Sequence, residues 1–261
     1  MNRSWMGLLT APARFFDKGY RKLRSYNARS SDMPHTRSAF DSPLARPPSL
    51  PPPSGSLKEL HELALRCRDC PLWKHATQTV FGKGPAPTTM MLVGEQPSSH
   101  EDAAGEPFAG PAGVLLDRAL KESGLNRHDV YLTNAVKHFK SESHGKHRLH
   151  KRANAAEQAI CREWLAAELR EVRPQRILAL GAMAAQAFFG TTFQLSMSHG
   201  RWFKLHGGVD AMATWNPSSI LHSINRDTHD HRYQQLVDDL RAFAAGPEHS
   251  HTVFMVRRRA G

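Results

Sequence analysis

The sequence predicts an α/β fold, a three-layer α/β/α arrangement around a central, mainly parallel, four-stranded sheet. Short apolar runs rich in β-branched residues alternate with longer helical segments, which is typical of a parallel sheet covered by helices on both faces. Polar residues follow several of these runs, at the strand ends where open α/β sheets bind ligands. A chain of 261 residues is long enough for one such domain with a full core.

The two ends of the chain differ in composition from its centre. Residues 1–55 are basic and rich in Pro, Ser and Arg, and such a segment cannot bury enough apolar surface to fold by itself. We therefore predict a disordered extension and linker at 1–55, the compact α/β domain at 56–246, and a basic C-terminal tail at 247–261.

The first half of the domain contains two predicted strands. Ser56 suits the N-cap of a short first helix, and the apolar run TMMLVG predicts a strand at 89–94. A Gly- and Pro-rich stretch at 105–113 then leads into a helix at 114–123. The β-branched run that follows predicts the second strand at 130–136.

The second half adds two more central strands and the longest helices. Asn154 suits the N-cap of a long helix, and Gly181 opens a helix of small residues directly after a strand. The predicted elements are, in order, a helix at 154–172, a strand at 176–180, a helix at 183–189, a short edge strand at 201–206, a strand at 210–215 and a closing helix at 227–244.

The charge of the chain favours an anionic partner. Lys and Arg number 35 against 24 Asp and Glu, a formal net charge of +11, which points to nucleic acid before an anionic membrane. No apolar run approaches the ~18 residues of a membrane span, and the N-terminus lacks the continuous apolar stretch of a secretory signal. We therefore expect no membrane partner and a cytoplasmic protein that works at the bacterial nucleoid.

A basic run, Lys137–Arg152, directly follows the second predicted strand. It reads KHFKSESHGKHRLHKR, which is six cations and four histidines against one acid. A loop of this charge at the carboxyl end of a buried strand is expected to meet phosphate; the alternative is a solvated charged loop. The residues assigned to the DNA backbone are Lys146, Arg148, Lys151 and Arg152.

The three cysteines point to a metal group. An odd number of cysteines does not suggest a disulfide scaffold. Cys67 and Cys70 have the two-residue spacing that holds one metal ion or one edge of a cluster, and Cys161 adds a third thiolate. His138 is the natural fourth ligand, and the set suits either zinc or an iron–sulfur cluster. The alternative is a reduced turn pair and an unrelated buried cysteine.

Polar side chains at the predicted strand ends form a second constellation, which could converge on one pocket. An asparagine amide both donates and accepts, so Asn134 suits the reading of a base edge, and Phe108 could stack on a base. The alternatives are a turn cap for Asn134 and core filling for Phe108. The strand-end residues are Glu95, Gln96, Asn134, His150 and Asn216.

Six blocks of the sequence resemble, in this order, the uracil-DNA glycosylase superfamily. They are GEQPSSHEDAAGEPFAGPAG, YLTNAVKHFK, GKHRLHKR, ICREWL, LALGAMAA and NPSSIL, and the resemblance covers about residues 57–245. The blocks are most similar to the X-type enzymes (UdgX), relatives of the iron–sulfur-bearing family 4. The Lys- and Arg-rich loop that ends in His150, before the helix of the third cysteine, is the specific X-type mark.

The resemblance implies a role for each matching residue. It implies a 4Fe–4S cluster, with zinc as the alternative, whose ligands are Cys67, Cys70, His138 and Cys161. Glu95 and Gln96 match the first catalytic motif, Phe108 the aromatic ring that stacks on uracil, and Asn134 the amide that reads its edge. His150 matches the histidine that bonds covalently to C1′ of the deoxyribose. The further residues assigned to substrate binding are Gly94, Pro97 and Ser218.

One block departs from the pattern of the family. Its C-terminal motif usually reads His-Pro-Ser, and here Asn216 replaces the histidine that helps to stabilise negative charge on departing uracil. Asparagine still donates a hydrogen bond but carries no positive charge. Loss of one such donor can lower a rate by a factor on the order of 10²–10³, so Asn216 remains a catalytic candidate with a weaker role.

The implied function is a DNA repair enzyme, a monomer that flips and excises uracil from single-stranded DNA. It would capture the abasic sugar through His150, with little turnover. The cations Lys146, Arg148, Lys151 and Arg152 are expected to keep His150 neutral and nucleophilic. The alternatives are a uracil-DNA binding protein with weak or no cleavage, a conventional glycosylase that uses water, and a zinc-stabilised nucleic-acid module without enzymatic activity.

Overall fold

A computed structural model of the protein describes residues 53–144, 147–205, 207–247 and 253–255. The predicted extension lies outside the described residues up to residue 52, as do Lys146 and most of the predicted C-terminal tail. The boundaries of the predicted domain therefore stay a prediction. In the described part of the chain, no helix is long and apolar enough to cross a membrane.

The central layer is a six-stranded sheet with the order β2-β1-β5-β7-β6-β8, and a two-stranded hairpin, β3-β4, lies apart from it. The strands are β1 at Met90–Gly94, β2 at Tyr131–Asn134, β3 at Ser141–His144, β4 at His147–His150, β5 at Arg176–Leu180, β6 at Trp202–Lys204, β7 at Asp210–Thr214 and β8 at Val253–Met255.

Helices cover the sheet on both sides. They are α1 at Leu57–Ala64, α2 at Ser99–Ala104, α3 at Pro111–Glu122, α4 at Ala155–Val172, α5 at Ala182–Phe189, α6 at Leu195–Ser198, α7 at Pro217–Leu221 and α8 at Arg226–Ala245. The β1 side chains show the two faces of the sheet. Met91 and Val93 pack in one core cluster with residues of α4 and α5, whereas Leu92 packs in a second cluster with residues of α3 and α8.

The predicted architecture is confirmed, and the number of strands is larger than predicted. The strands β2, β1, β5 and β7 pair in parallel, as expected for the four-stranded sheet. The sheet continues through β6, which is antiparallel to β7, and β8, which is parallel to β6. The strand β6 lies within the short edge strand predicted at 201–206. The strand β8 was not predicted; it has three residues, too few for a clear periodic pattern, and it falls within the predicted tail.

Local elements near the strand ends also differ from the prediction. Half of the predicted basic loop forms the antiparallel strands β3 and β4, in which Ser141 pairs with His150. The charged residues obscure the strand period in the sequence. The polar stretch after β1 contains helix α2, whose capping box joins Ser98 and Glu101. That Ser-x-x-Glu pattern is visible in the sequence and could have predicted the helix.

Candidate functional site

The candidate site is built around the carboxyl end of β1, where three consecutive residues each hold a different part of it. Gly94 is the last residue of β1, and Glu95 and Gln96 follow it. Because β1 lies between β2 and β5 in the sheet, the segments that follow all three strands meet at this edge. Most of the predicted site residues lie here.

Gly94 leaves room for the two residues predicted to hold the base. A Cβ atom at this position would lie 2.7 Å from Cζ of Phe108 and even closer to Oδ1 of Asn134. Both side chains are buried, with 7% and 2% of their surface exposed. Phe108 also has a positive φ of 55°, a conformation that non-glycine residues rarely adopt. The predicted stacking ring and the predicted base reader are therefore neighbours.

Glu101, a residue of helix α2, fixes the orientation of Asn134. Its Oε1 accepts from Nδ2 of Asn134 (3.0 Å) and from the Phe108 backbone N–H (2.7 Å), and its Oε2 accepts from the Ser98 N–H (2.8 Å). Since the carboxylate only accepts, the Asn134 amide must turn Nδ2 toward it. Oδ1 is left facing the space beside Gly94.

Glu95 joins β1 to the first turn of α5 and to Asn216. Its Oε1 accepts from the Met183 backbone N–H at 2.8 Å. Gly181 has a φ of 105°, and a Cβ there would lie 2.6 Å from Oε1 of Glu95 and 2.9 Å from Cβ of Asn216. The absence of a side chain at 181 therefore lets the carboxylate and the asparagine approach each other.

Asn216 caps helix α7. Its Oδ1 accepts from the Ser218 backbone N–H at 2.9 Å, as is typical of an N-cap asparagine. Its Nδ2 has no hydrogen-bond partner within the described part of the chain, and remains available as a donor. Ser218 belongs to the first turn of the same helix, and Pro97 is buried directly after Gln96. These two predicted substrate-binding residues border the site.

Gln96 forms hydrogen bonds with the backbone of the segment that follows β4. Its Oε1 accepts from the Ala153 N–H (2.7 Å), and its Nε2 donates to the Lys151 carbonyl (2.8 Å). These backbone partners fix the orientation of the amide, because a backbone N–H only donates and a carbonyl only accepts. Nε2 of Gln96 also lies 2.7 Å from Nε2 of His150, so it is the donor in that hydrogen bond.

His150 is therefore a neutral imidazole with its proton on Nδ1, because Nε2 must accept from Gln96. Burial lowers its pKa below the ordinary value, although the carboxylates of Glu95 and Glu101 act in the opposite direction. The His150 ring packs edge-on against buried Phe139, with 5.6 Å between the ring centroids. The expected direction of the pKa shift is confirmed.

The expected cause of that shift is not the one found, because the described cations of the hairpin have other partners. Arg148 donates to Asp102 at 2.6 Å and to the His75 carbonyl at 3.1 Å. Lys151 pairs with Glu142 at 3.1 Å, and Arg152 lies 3.4 Å from Oε1 of Gln186. Burial, together with His222, lowers the pKa of His150 instead.

Lys137, the first cation of the basic run, faces the interior. Its Nζ donates to Glu168 (2.5 Å), Thr133 (2.7 Å) and the Asn134 carbonyl (2.7 Å). Neither Lys137 nor Glu168 has any exposed surface. This lysine therefore cannot contact a DNA phosphate. It links the backbone of Asn134, the residue predicted to read the base edge, to Glu168 of α4.

The predicted metal ligands are all buried, and burial raises the pKa of the Cys67 thiol. Cys67, Cys70, His138 and Cys161 have between 1% and 8% of their surface exposed. A hydrogen bond with the Cys161 thiol lowers the pKa of Cys70, and the same hydrogen bond raises that of Cys161. Nε1 of Trp164 donates to Cys67 at 3.2 Å. Among the described residues, no three His, Cys, Asp or Glu side chains are arranged to hold a single metal ion.

His138 has the tautomer of a metal ligand. The Thr79 hydroxyl donates to the Ala64 carbonyl at 2.7 Å, so toward Nε2 of His138, 2.9 Å away, it can only accept. His138 therefore carries its proton on Nε2. Nδ1 keeps a free lone pair and is a buried atom without a hydrogen-bond partner. A ring nitrogen held by one hydrogen bond, with the other free, is what metal coordination requires, so the donor set fits a thiolate-rich metal group.

Comparison with known proteins gives a consistent family. The model of the "Uracil DNA glycosylase superfamily" matches residues 81–241. A "Type-4 uracil-DNA glycosylase" of Thermotoga maritima is 35% identical over 161 residues, 61% of this chain and 80% of that protein. One of Archaeoglobus fulgidus is 33% identical over 181 residues, 64% of this chain and 84% of that protein. One of Pyrobaculum aerophilum is 39% identical over 131 residues, 50% of this chain and 63% of that protein. This chain therefore belongs to the uracil-DNA glycosylase superfamily.

Proposed function

We propose that this protein excises uracil from single-stranded DNA and then captures the abasic sugar covalently through His150, as an X-type enzyme. The observation that carries the proposal is the hydrogen bond of 2.7 Å between Gln96 and His150. The orientation of the Gln96 amide is set by two backbone groups, so His150 is neutral and its lone pair is on Nε2. A neutral, positioned imidazole at the glycosylase site is a nucleophile.

Base recognition uses Phe108 and Asn134, the two side chains that lie against Gly94. A flipped uracil stacks on Phe108, and the Asn134 amide reads its edge. Uracil presents both N–H and C=O groups along that edge, which matches an amide that accepts through Oδ1 and donates through the second hydrogen of Nδ2. Glu101 holds the amide in this orientation, so the recognition geometry exists before the substrate binds.

Cleavage of the glycosidic bond separates charge. The bonding electron pair leaves with N1 of uracil, and positive charge builds on the deoxyribose. The carboxylates of Glu95 and Glu101, both close enough to act on His150, favour the positive sugar. Nδ2 of Asn216, left free by the capping role of Oδ1, can donate to the departing uracil. It provides one hydrogen bond but no charge.

Capture follows at C1′. The lone pair on Nε2 of His150 forms the new bond to C1′, and the imidazole becomes positively charged until Nδ1 gives up its proton. Before that step the Gln96 amide covers this lone pair, so the hydrogen bond between Gln96 and His150 must open for capture. Gln96 therefore positions the nucleophile and also restrains it.

A 4Fe–4S cluster, with zinc as the alternative, would be held by Cys67, Cys70, His138 through Nδ1, and Cys161. When bound, it would join the segment after α1, the segment after β2, and α4 through three thiolates and one imidazole. The residue before His138 is Lys137, whose ammonium group holds the backbone of Asn134. The ligand His138 therefore helps to hold the backbone of Asn134 in place through its neighbour Lys137.

The test compares wild type with a His150→Ser variant on single-stranded uracil-DNA, on a denaturing gel with released uracil measured in parallel. Wild type should give a protein–DNA band that resists denaturant, and His150→Ser should give free abasic product without that band. An adduct in the variant would exclude His150 as the nucleophile. Uracil release without any adduct in wild type would show a conventional water-using glycosylase, and binding without release would show a binding protein.

The pH dependence of capture gives a second prediction. Burial lowers the pKa of His150, so its imidazole should stay neutral at pH 7 and lose its free lone pair only below about pH 6.5, the ordinary histidine value. The yield of adduct per uracil released should therefore be constant from pH 8 to 7 and fall on the acid side of about 6.5. A midpoint above that value would contradict the assigned environment of His150.

A further inference from the structure

A small cavity of about 50 Å³ lies beside the candidate site, between the first half of α4 and the end of α5. Its lining includes Ala135, which directly follows the base reader Asn134, and Gln186, whose side chain lies 3.4 Å from the guanidinium of Arg152. The cavity has room for more than one water-sized group. It therefore lies next to the hairpin segment that carries His150.

The side chain of Arg162 lines this cavity and has no counter-ion. It makes no hydrogen bond or ion pair with any residue in the described ranges, although it is partly buried. Burial lowers its pKa, and Glu163 opposes that shift only at a distance. None of the residues that line the cavity is acidic. A partly desolvated guanidinium without a partner is costly unless an anion completes the site.

We propose that Arg162 and this cavity bind a phosphodiester of the DNA strand, one that flanks the flipped nucleotide. Two non-bridging phosphate oxygens can pair with the fork of one guanidinium. Gln158 and Gln186 line the same space. Each Nε2 donates one hydrogen to a backbone carbonyl, that of Ala153 or Thr191, and its second hydrogen can bond to phosphate. The proposal rests on the proposed function for the course of the strand, and it adds a contact that the basic hairpin does not provide.

The contact should carry affinity and not base specificity, because a phosphate is the same beside every base. The slope of log K against log salt concentration is negative, and each neutralised phosphate of a single strand contributes about −0.7 to it. Loss of this subsite should therefore make the slope less negative by about 0.7, for strands with and without uracil. Base recognition by Phe108 and Asn134 should not change.

The test uses two neighbouring threonines that are both exposed. Thr191 lines the cavity, and Thr192 does not. Thr191→Glu places a carboxylate where it competes with phosphate for Arg162, whereas Thr192→Glu adds the same charge one residue away. Arg162→Gln removes the cation, and Arg162→Lys keeps the charge without the planar fork. Melting temperature and the absorbance of the metal group check that each variant is folded.

Binding of the full-length holoprotein to a 12-nucleotide strand, with or without a single 2′-fluoro-deoxyuridine, is measured across a salt series. The fluorine disfavours positive charge on the sugar and so blocks cleavage, which keeps the binding reversible. Thr191→Glu and Arg162→Gln should weaken the binding of both strands and make the slope less negative by about 0.7. Arg162→Lys should retain most of the salt dependence. Thr192→Glu should bind both strands like wild type. Equal slopes for Thr191→Glu and Thr192→Glu, or an unchanged slope in Arg162→Gln, would overturn the subsite. Equal affinity of wild type for both strands would instead contradict the proposed function. The slope on the uracil-free strand would still show whether Arg162 binds a phosphate.

Discussion

Replacing Gly94 with alanine should lower the rate of uracil excision by about 10²-fold or more. The added Cβ would lie 2.7 Å from Cζ of Phe108 and closer still to Oδ1 of Asn134. Neither side chain can move away easily, because both are buried and both depend on Glu101, through the Asn134 amide and the Phe108 backbone N–H. A displacement of about 1 Å at such groups can cost 10²-fold in rate.

The measurement is single-turnover release of uracil from a single-stranded oligonucleotide. Gly124→Ala is a suitable control, since a Cβ at Gly124 meets nothing within 4 Å. That residue has a φ of 80°, so the control carries backbone strain without touching the site. Gly124→Ala should lower the melting temperature but not the rate. An excision rate within threefold of wild type in Gly94→Ala would show that Phe108 and Asn134 do not hold the base.

The central elements could be predicted from the sequence because they follow simple periodic rules. The buried runs of β1, β2, β5 and β7 are short, apolar and bounded by polar or Gly-containing turns, and the four strands pair in parallel as predicted. Their carboxyl ends meet at one edge, so the convergence of Glu95 and Asn216 follows from topology alone. The edge strand β6 lies within the strand predicted at 201–206, whereas β8 was not predicted because its three residues show no period.

The partners of individual polar groups could not be predicted, since they depend on contacts distant in sequence. Gln96 fixes the tautomer of His150 from 54 residues away, and no local pattern indicates such a bond. Glu101 carries a local signal, its capping box with Ser98, yet its second role toward Asn134 exists only in three dimensions. Arg148 was predicted to contact the DNA backbone, and it pairs instead with Asp102, which has no exposed side-chain surface.

Lys137 shows this limit most clearly, because charge and composition assign it to a phosphate-binding run. In the fold it forms a fully buried ion pair with Glu168. That carboxylate also accepts from the Thr133 hydroxyl at 3.0 Å and from the Gly82 N–H at 2.9 Å. A buried charge is tolerated when it is paired and hydrogen-bonded, so the pair is a single unit whose halves depend on each other.

Replacing Lys137 with methionine should therefore lower the free energy of unfolding by roughly 3–5 kcal/mol, because Glu168 is left as an uncompensated buried charge. Lys137→Met/Glu168→Gln should recover most of the loss, since it removes both charges and keeps an oxygen acceptor. Lys83→Met is the matched control: Lys83 and Glu106 pair with 66% and 50% of their side-chain surfaces exposed, and such pairs contribute at most about 1 kcal/mol.

Urea unfolding of the four proteins, at equal content of the metal group, measures these differences. A loss in Lys137→Met no larger than in Lys83→Met, or no recovery in the double variant, would show that the buried pair does not stabilise the fold. Because the same ammonium group holds the Asn134 carbonyl, the folded fraction of Lys137→Met should also bind uracil-DNA more weakly than wild type.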